Sequence, residues 1–141
     1  MAIGTTISYI VHLLVAAIWT GSVVFVAVGV IPTARMDGVG EAALRGALNR
    51  LTTISRGGSV LLLLTGGHLA AAQYTVDTLT GTTRGYLVVG MIVLWVLLTG
   101  LVEVGASKII GSGKAAEGRP YILASGALAV LLLIDAGLLL S

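Results

Sequence analysis

TISYIVHLLVAAIWTGSVVFVAVGVI, residues 6–31, runs for 26 residues without a lysine, arginine, aspartate or glutamate. A helix needs about 20 apolar residues to cross the hydrocarbon core of a bilayer. The stretch is long enough for that, and it is longer than the apolar segment of a signal peptide, whose basic N-terminal region is also missing here. We therefore expect it to be retained as a membrane anchor.

The composition of the whole chain indicates the same class of protein. Of its 141 residues, 57% are hydrophobic and 10% are charged, whereas a soluble domain carries about 25% charged residues. The basic residues are not clustered with aromatic side chains, so we expect the lipid bilayer as a partner and no nucleic acid. The chain has no cysteine, which excludes disulfides, Fe–S clusters and thiolate metal sites.

Three further stretches are long and apolar enough to cross a bilayer. We predict an all-α, up-down-up-down, four-helix membrane bundle that forms one domain over residues 1–141, with spans at about 6–31, 54–74, 85–110 and 121–140. Pro32 is expected to close the first span, and residues 75–84 and 111–120 are expected to be loops. Residues 37–55 are amphipathic, which predicts a cytoplasmic helix that lies at the membrane interface or extends the second span.

The basic residues predict the orientation of the bundle. Seven of the eight lie in or beside the two loops that follow the first and third spans: Arg35, Arg45, Arg50, Arg56, Lys108, Lys114 and Arg119. Only Arg84 lies at the other end. Because cytoplasmic loops carry the excess of lysine and arginine, we expect both termini on the outer side of the cell membrane.

The few polar residues inside the spans are predicted to share one depth. At about 1.5 Å per helical residue, four side chains lie roughly 10 Å from the outer ends of their spans, and each belongs to a different span: His12, His68, Met91 and Asp135. An unpaired carboxylate at that depth is unfavourable, so Asp135 should be protonated or paired. Two histidines on separate helices at equal depth are the axial ligands that a six-coordinate b-type haem requires.

We therefore predict haem b as the cofactor, held near the outer leaflet of a membrane-embedded redox or electron-transfer protein. The axial ligands are expected to be His12 and His68, with Met91 as the substitute if one histidine is structural. The residues do not identify a catalytic group, an electron donor or an electron acceptor.

Other residues are expected to support this cofactor. Gly66 and Gly67 would remove bulk next to His68, where a flat macrocycle must approach the helix backbone. Asp135 could accept a hydrogen bond from an imidazole. Arg84, the one cation at the outer side, is the expected partner of a haem propionate.

Two other hypotheses about the function of the same residues stay open. A copper ion could be bound by His12 and His68 with Met91 or Asp135, as in a copper-binding or copper-transport protein, and two histidines with a carboxylate also suit non-haem iron. Alternatively, the histidines form interhelical hydrogen bonds in a non-catalytic accessory subunit of a larger membrane assembly. A homo-oligomer or a redox partner protein is compatible with all of these.

The first span also carries an H-x6-W-x-G pattern in His12, Trp19 and Gly21, with His12 and Trp19 two helical turns apart on one face. With IPTAR at 31–35 and SRGGSVLLLLTGGHLA at 55–70, it resembles the CopD-like membrane family, which is associated with copper resistance and uptake. The small four-span form is similar to stand-alone members from haloarchaea. A more distant likeness is to the four-span, haem-binding protoporphyrinogen oxidase family. The resemblance covers about half of the chain and implies that His12 contacts a metal or haem while Trp19 packs beside it.

Overall fold

The computed structural model describes residues 2–141, and within that range it contains helices and no strand. The elements are α1 (Ile3–Phe25), a π-helical segment (Val26–Val30), α2 (Ile31–Arg35), α3 (Glu41–Gln73), α4 (Val76–Gly81), α5 (Thr83–Ser112) and α6 (Ala115–Leu140). Three helices are long and apolar enough to cross a membrane: Ile3–Arg35, Thr83–Ser112 and Ala115–Leu140. The all-helical, membrane type of fold is thus the one that the apolar stretches predict.

The four long helices pack in a ring. The helix Ile3–Arg35 lies against α3 and α6, and α5 lies against α3 and α6. Two short connections, 36–40 and 113–114, lie at one end, which we call the basic end. The opposite end, where α4 joins α3 to α5, is called the α4 end. Since each connection reverses the chain, neighbouring helices along the sequence run antiparallel.

Pro32 does not end the first helix, contrary to the sequence prediction. Helix continues through it to Arg35, and Pro32 occupies the first turn of α2, directly after the π-helical segment. Proline lacks an N–H and its ring crowds the carbonyl four residues earlier. The wider π turn is the usual kind of irregularity that relieves such a conflict inside a helix.

The predictions of loops at 75–84 and 111–120 are both wrong for most of their residues. In the first, Val76–Gly81 form α4 and α5 begins at Thr83, because the side chains of Thr75 and Thr82 cap the starts of these helices. The second stretch is also mostly helical. Helix α5 extends to Ser112 and α6 begins at Ala115, so only two residues connect them. Gly113 makes the turn with a φ of +71°, a left-handed conformation that glycine adopts without steric cost. Pro120 lies inside α6. The glycines and the proline of 111–120 thus belong to a short junction between two helices and to the helices themselves, and they do not form a ten-residue loop.

The amphipathic segment 37–55 is the first part of the 33-residue helix α3, so it extends the predicted second span. Its apolar residues Leu44, Leu48 and Leu51 are buried, and they belong to the main cluster of the bundle. The apolar face thus packs against the other helices and not against a lipid surface.

The core is concentrated in the half of the bundle next to the basic end. The other half, next to the α4 end, is called the α4 half. The largest fully buried side chains include Trp19, Leu48, Leu98, Ile109 and Ile122. Towards the α4 end the helices bury little: no residue in 2–18, 86–97 or 133–141 is buried, and Leu69 is the one buried residue in 63–73. The half that contains the predicted site residues therefore has no continuous core.

Candidate functional site in the α4 half of the bundle

His12 lies between α1 and α3 and is half-buried. Its Nδ1 is 2.8 Å from the hydroxyl oxygen of Thr65. A Cβ placed on Gly66 would lie 3.0 Å from His12 Cε1, so the glycine leaves room for the edge of the imidazole. No hydrogen bond to His12 Nε2 is formed within residues 2–141. The ring is thus held through one nitrogen, and its other nitrogen has no protein partner in the described part of the chain.

His68 does not join His12. Its side chain is exposed on the outside of α3, because it follows Gly66 by two residues, or about 200° around a helix. Gly67 likewise has no atom within 4 Å of its Cβ position. The two histidines therefore do not face each other across a common space, and Gly66 serves His12, not a macrocycle beside His68.

Asp135 lies on α6 against α5. The carboxylate is half-buried, and a Cβ on Gly90 would lie 3.6 Å from Asp135 Oδ1. Its Oδ2 is buried and has no hydrogen-bond partner among the residues that the structure describes. Met91, next to Gly90, is half-buried as well. Asp135 thus lies at the contact between α5 and α6 in the half of the bundle towards the α4 end, and Met91 is partly covered in the same half.

Two tryptophans lie below this level, towards the basic end. Trp19 is fully buried, and a Cβ on Gly58 of α3 would lie 3.5 Å from its Cβ. His12 and Trp19 therefore both face α3, in agreement with their two-turn spacing. Trp95 on α5 is half-buried. Within 2–141 neither indole Nε1 has a hydrogen-bond partner, although both atoms are buried.

Arg84 lies at the mouth of the α4 end and is exposed. It lines a groove of about 440 Å³ together with residues of α3, α4 and the start of α5: Gln73, Tyr74, Thr78, Thr82 and Thr83. Three of the residues that line the groove are threonines. His12 and Asp135 are not among the lining residues, so the groove is separate from both.

No metal cluster is preassembled by acidic, histidine or cysteine side chains. Across residues 2–141 the structure contains no group of three such residues placed to hold a metal ion. A site with two histidines and a carboxylate is therefore not formed in this arrangement, because His68 faces away from the other two.

Some features of the site carry no distinctive sequence signal. Thr65 and Gly66 look like ordinary residues of an apolar span until the register between α1 and α3 places them at His12. The same holds for Gly90, whose approach to Asp135 depends on how α5 and α6 are rotated. Towards the basic end, Arg56 Nε and Nη2 donate to the two carboxylate oxygens of Glu103 at 2.9 and 2.8 Å.

The chain matches no family model, no curated protein and no solved structure.

Proposed function

We propose that this chain is a four-span integral membrane protein that binds haem b in the α4 half of the bundle, with His12 as an axial ligand. The observation that supports this most directly is the half-buried imidazole whose Nδ1 is engaged by Thr65 while Nε2 has no partner in residues 2–141. Imidazole nitrogen is a common haem ligand. His12 is also the residue that the resemblance to the CopD-like and protoporphyrinogen oxidase families selects.

The fourth span of the proposal is α3. It is less apolar than the other three because Arg56, His68 and several glycines fall within its membrane-facing part. It nevertheless packs between two helices that are apolar enough to cross a bilayer. At about 1.5 Å per residue its 33 residues are roughly 50 Å long, more than a hydrocarbon core requires. We place the basic end in the cytoplasm and both termini outside.

We place the cofactor in the α4 half, where the helices bury few side chains. No residue of α1 before Trp19, and none of α5 between Gly85 and Leu98, is buried. A planar ligand there would be enclosed by helix faces that now bury little of each other. Met91 is the candidate for a second ligand because it is a half-buried residue of α5 in this half, and a thioether is a known axial ligand.

The remaining residues supply the surroundings of the cofactor. Arg84 offers a positive charge at the membrane boundary for a propionate, and Asp135 offers a carboxyl group at the α5–α6 contact, next to Gly90. Haem b, when bound, would supply a one-electron carrier. The helices would keep water away from it and hold it near the outer surface, where a redox partner could approach.

Optical spectroscopy of the purified protein tests the proposal. The protein is produced with ample haem, and spectra are recorded for the parent, His12→Ala and His68→Ala. We expect a Soret band and sharpened bands on reduction in the parent, retention of these bands in His68→Ala, and their loss in His12→Ala. A colourless parent, or equal spectra for all three proteins, would contradict haem binding at His12.

Copper is the second candidate, and the half-buried thioether of Met91 favours it. Imidazole and thioether together suit a cuprous ion, and both His12 and Met91 are half-buried in the same half of the bundle. Metal analysis distinguishes the two: stoichiometric copper without porphyrin supports a copper-binding or copper-transport protein. Absence of both, with co-purifying larger proteins, supports an accessory subunit instead.

A further inference from the structure

We infer that Thr65 is a positioning residue that fixes the tautomer of His12 and so presents Nε2 as the ligating nitrogen. This inference rests on the proposed function for the identity of the ligand, but not for the state of the imidazole. Thr65 would not touch the cofactor. It acts through His12.

The hydrogen bonds of the Thr65 hydroxyl group determine which nitrogen of His12 bears the proton. The hydroxyl oxygen of Thr65 is 2.7 Å from the carbonyl oxygen of Leu61, one helical turn earlier, and 2.8 Å from His12 Nδ1. A carbonyl oxygen can only accept, and a threonine hydroxyl has a single hydrogen to donate. With that hydrogen directed to Leu61, Thr65 can only accept from the ring. His12 Nδ1 therefore carries the proton.

The consequence for Nε2 follows from the chemistry of a neutral imidazole. When one ring nitrogen bears the proton, the other has a free lone pair, and the partner of the first nitrogen decides which one can bind a metal. His12 thus presents an Nε2 lone pair to an electron-poor ligand such as haem iron. It does not present a hydrogen-bond donor there.

Gly66 completes the support of the ring. It is the neighbour of Thr65 on α3, and its missing side chain would otherwise lie 3.0 Å from His12 Cε1. A methyl group at that distance forces the ring to move by a few tenths of an ångström. The hydrogen bond with Thr65 holds the imidazole, and the missing side chain of Gly66 leaves the space that the ring edge occupies.

Thr65→Val is the informative substitution, because valine keeps the shape and removes the hydroxyl. The hydrogen-bond partners of metal-bound histidines typically contribute about 10- to 100-fold to metal affinity. We expect haem affinity to fall by about that factor in Thr65→Val and to stay close to the parent in Thr65→Ser, which keeps the acceptor. A role in helix packing alone would not be rescued by serine, the smaller side chain.

Nitrogen-15 NMR of the cofactor-free protein tests the tautomer without haem. The chain has two histidines, so a His68→Gln background leaves one imidazole signal, that of His12. We expect the Nδ1-protonated form with Thr65 or Thr65→Ser, and a shift towards the Nε2-protonated form in Thr65→Val. An Nε2-protonated parent, or no change in Thr65→Val, overturns the inference. Nδ1 protonation in a protein that never binds haem would refute the proposed function alone.

Discussion

In the α4 half of the bundle, two residues of the same type have different surroundings. His12 and His68 are alike in type and in predicted depth, yet the structure gives them different surroundings. His12 has a hydrogen-bond partner and a glycine beside its ring, whereas His68 is exposed on the outside of α3. Of the two, only His12 lies where the helices could enclose a ligand.

The effect of the half-buried Asp135 carboxylate on the stability of the fold can be tested directly. Its Oδ2 is buried without a partner in the described chain, and a buried polar group without a hydrogen bond costs about 1–3 kcal/mol. We expect Asp135→Leu to raise the thermal unfolding temperature of the cofactor-free protein. Asp135→Asn, which keeps the polarity, should change it less.

The measurement is thermal unfolding in one detergent, followed by circular dichroism. A lower unfolding temperature in Asp135→Leu would mean that the carboxyl group makes a stabilising interaction, and the assignment of an unpartnered oxygen would then be wrong.

At the scale of helices, α5 and α6 approach each other closely enough that their backbones meet at glycines. A Cβ on Gly118 would overlap the carbonyl oxygen of Gly105, and a Cβ on Gly105 would lie 2.9 Å from the side chains of Tyr121 and Ile122. Small residues allow such approach, and membrane helices associate through packing of this kind. The two-residue connection at 113–114 brings these glycines together.

We expect Gly118→Ala to destabilise the bundle by about 1–3 kcal/mol, the usual effect of overpacking a tight contact. Gly137→Ala is the matched control on the same helix, because nothing lies within 4 Å of its Cβ position. The alanine there should be neutral or slightly stabilising, since alanine favours helix. Reversible unfolding in mixed micelles compares the two. Equal stabilities would show that the α5–α6 contact is looser than described.

At the scale of the whole molecule, the number of crossings depends on α3. With four crossings and the N-terminus outside, Lys114 lies in the cytoplasm and Ser141 outside. If α3 stayed in the cytoplasm instead, α5 would start from the cytoplasmic side. Lys114 would then lie outside and Ser141 in the cytoplasm.

Cysteine labelling distinguishes these topologies, and the chain has no cysteine of its own. We expect an impermeant thiol reagent applied to intact cells to label Ser141→Cys and Thr80→Cys, and to label Lys114→Cys only after permeabilisation. Labelling of Lys114→Cys in intact cells would contradict four crossings with both termini outside.

Much of the fold follows from the order of the residues along the chain. The length of an apolar run and the composition of the whole chain suffice to predict helices of membrane type, since a span must satisfy its backbone hydrogen bonds within itself. The amphipathic face of Leu44, Leu48 and Leu51 likewise follows from a 3.6-residue period. The errors lie at Pro32, at 75–84 and at 111–120, where helix depended on a π turn, on two threonine caps and on one glycine.

The candidate site depended on relations between helices that counting along the chain does not contain. Counting gives the depth of a residue, because each residue of a helix advances about 1.5 Å, and so it grouped His12, His68, Met91 and Asp135. The direction of a side chain around the axis is set by how neighbouring helices pack. That packing turned His12 towards Thr65 and Gly66, placed Asp135 beside Gly90, and left His68 on the outer surface of α3.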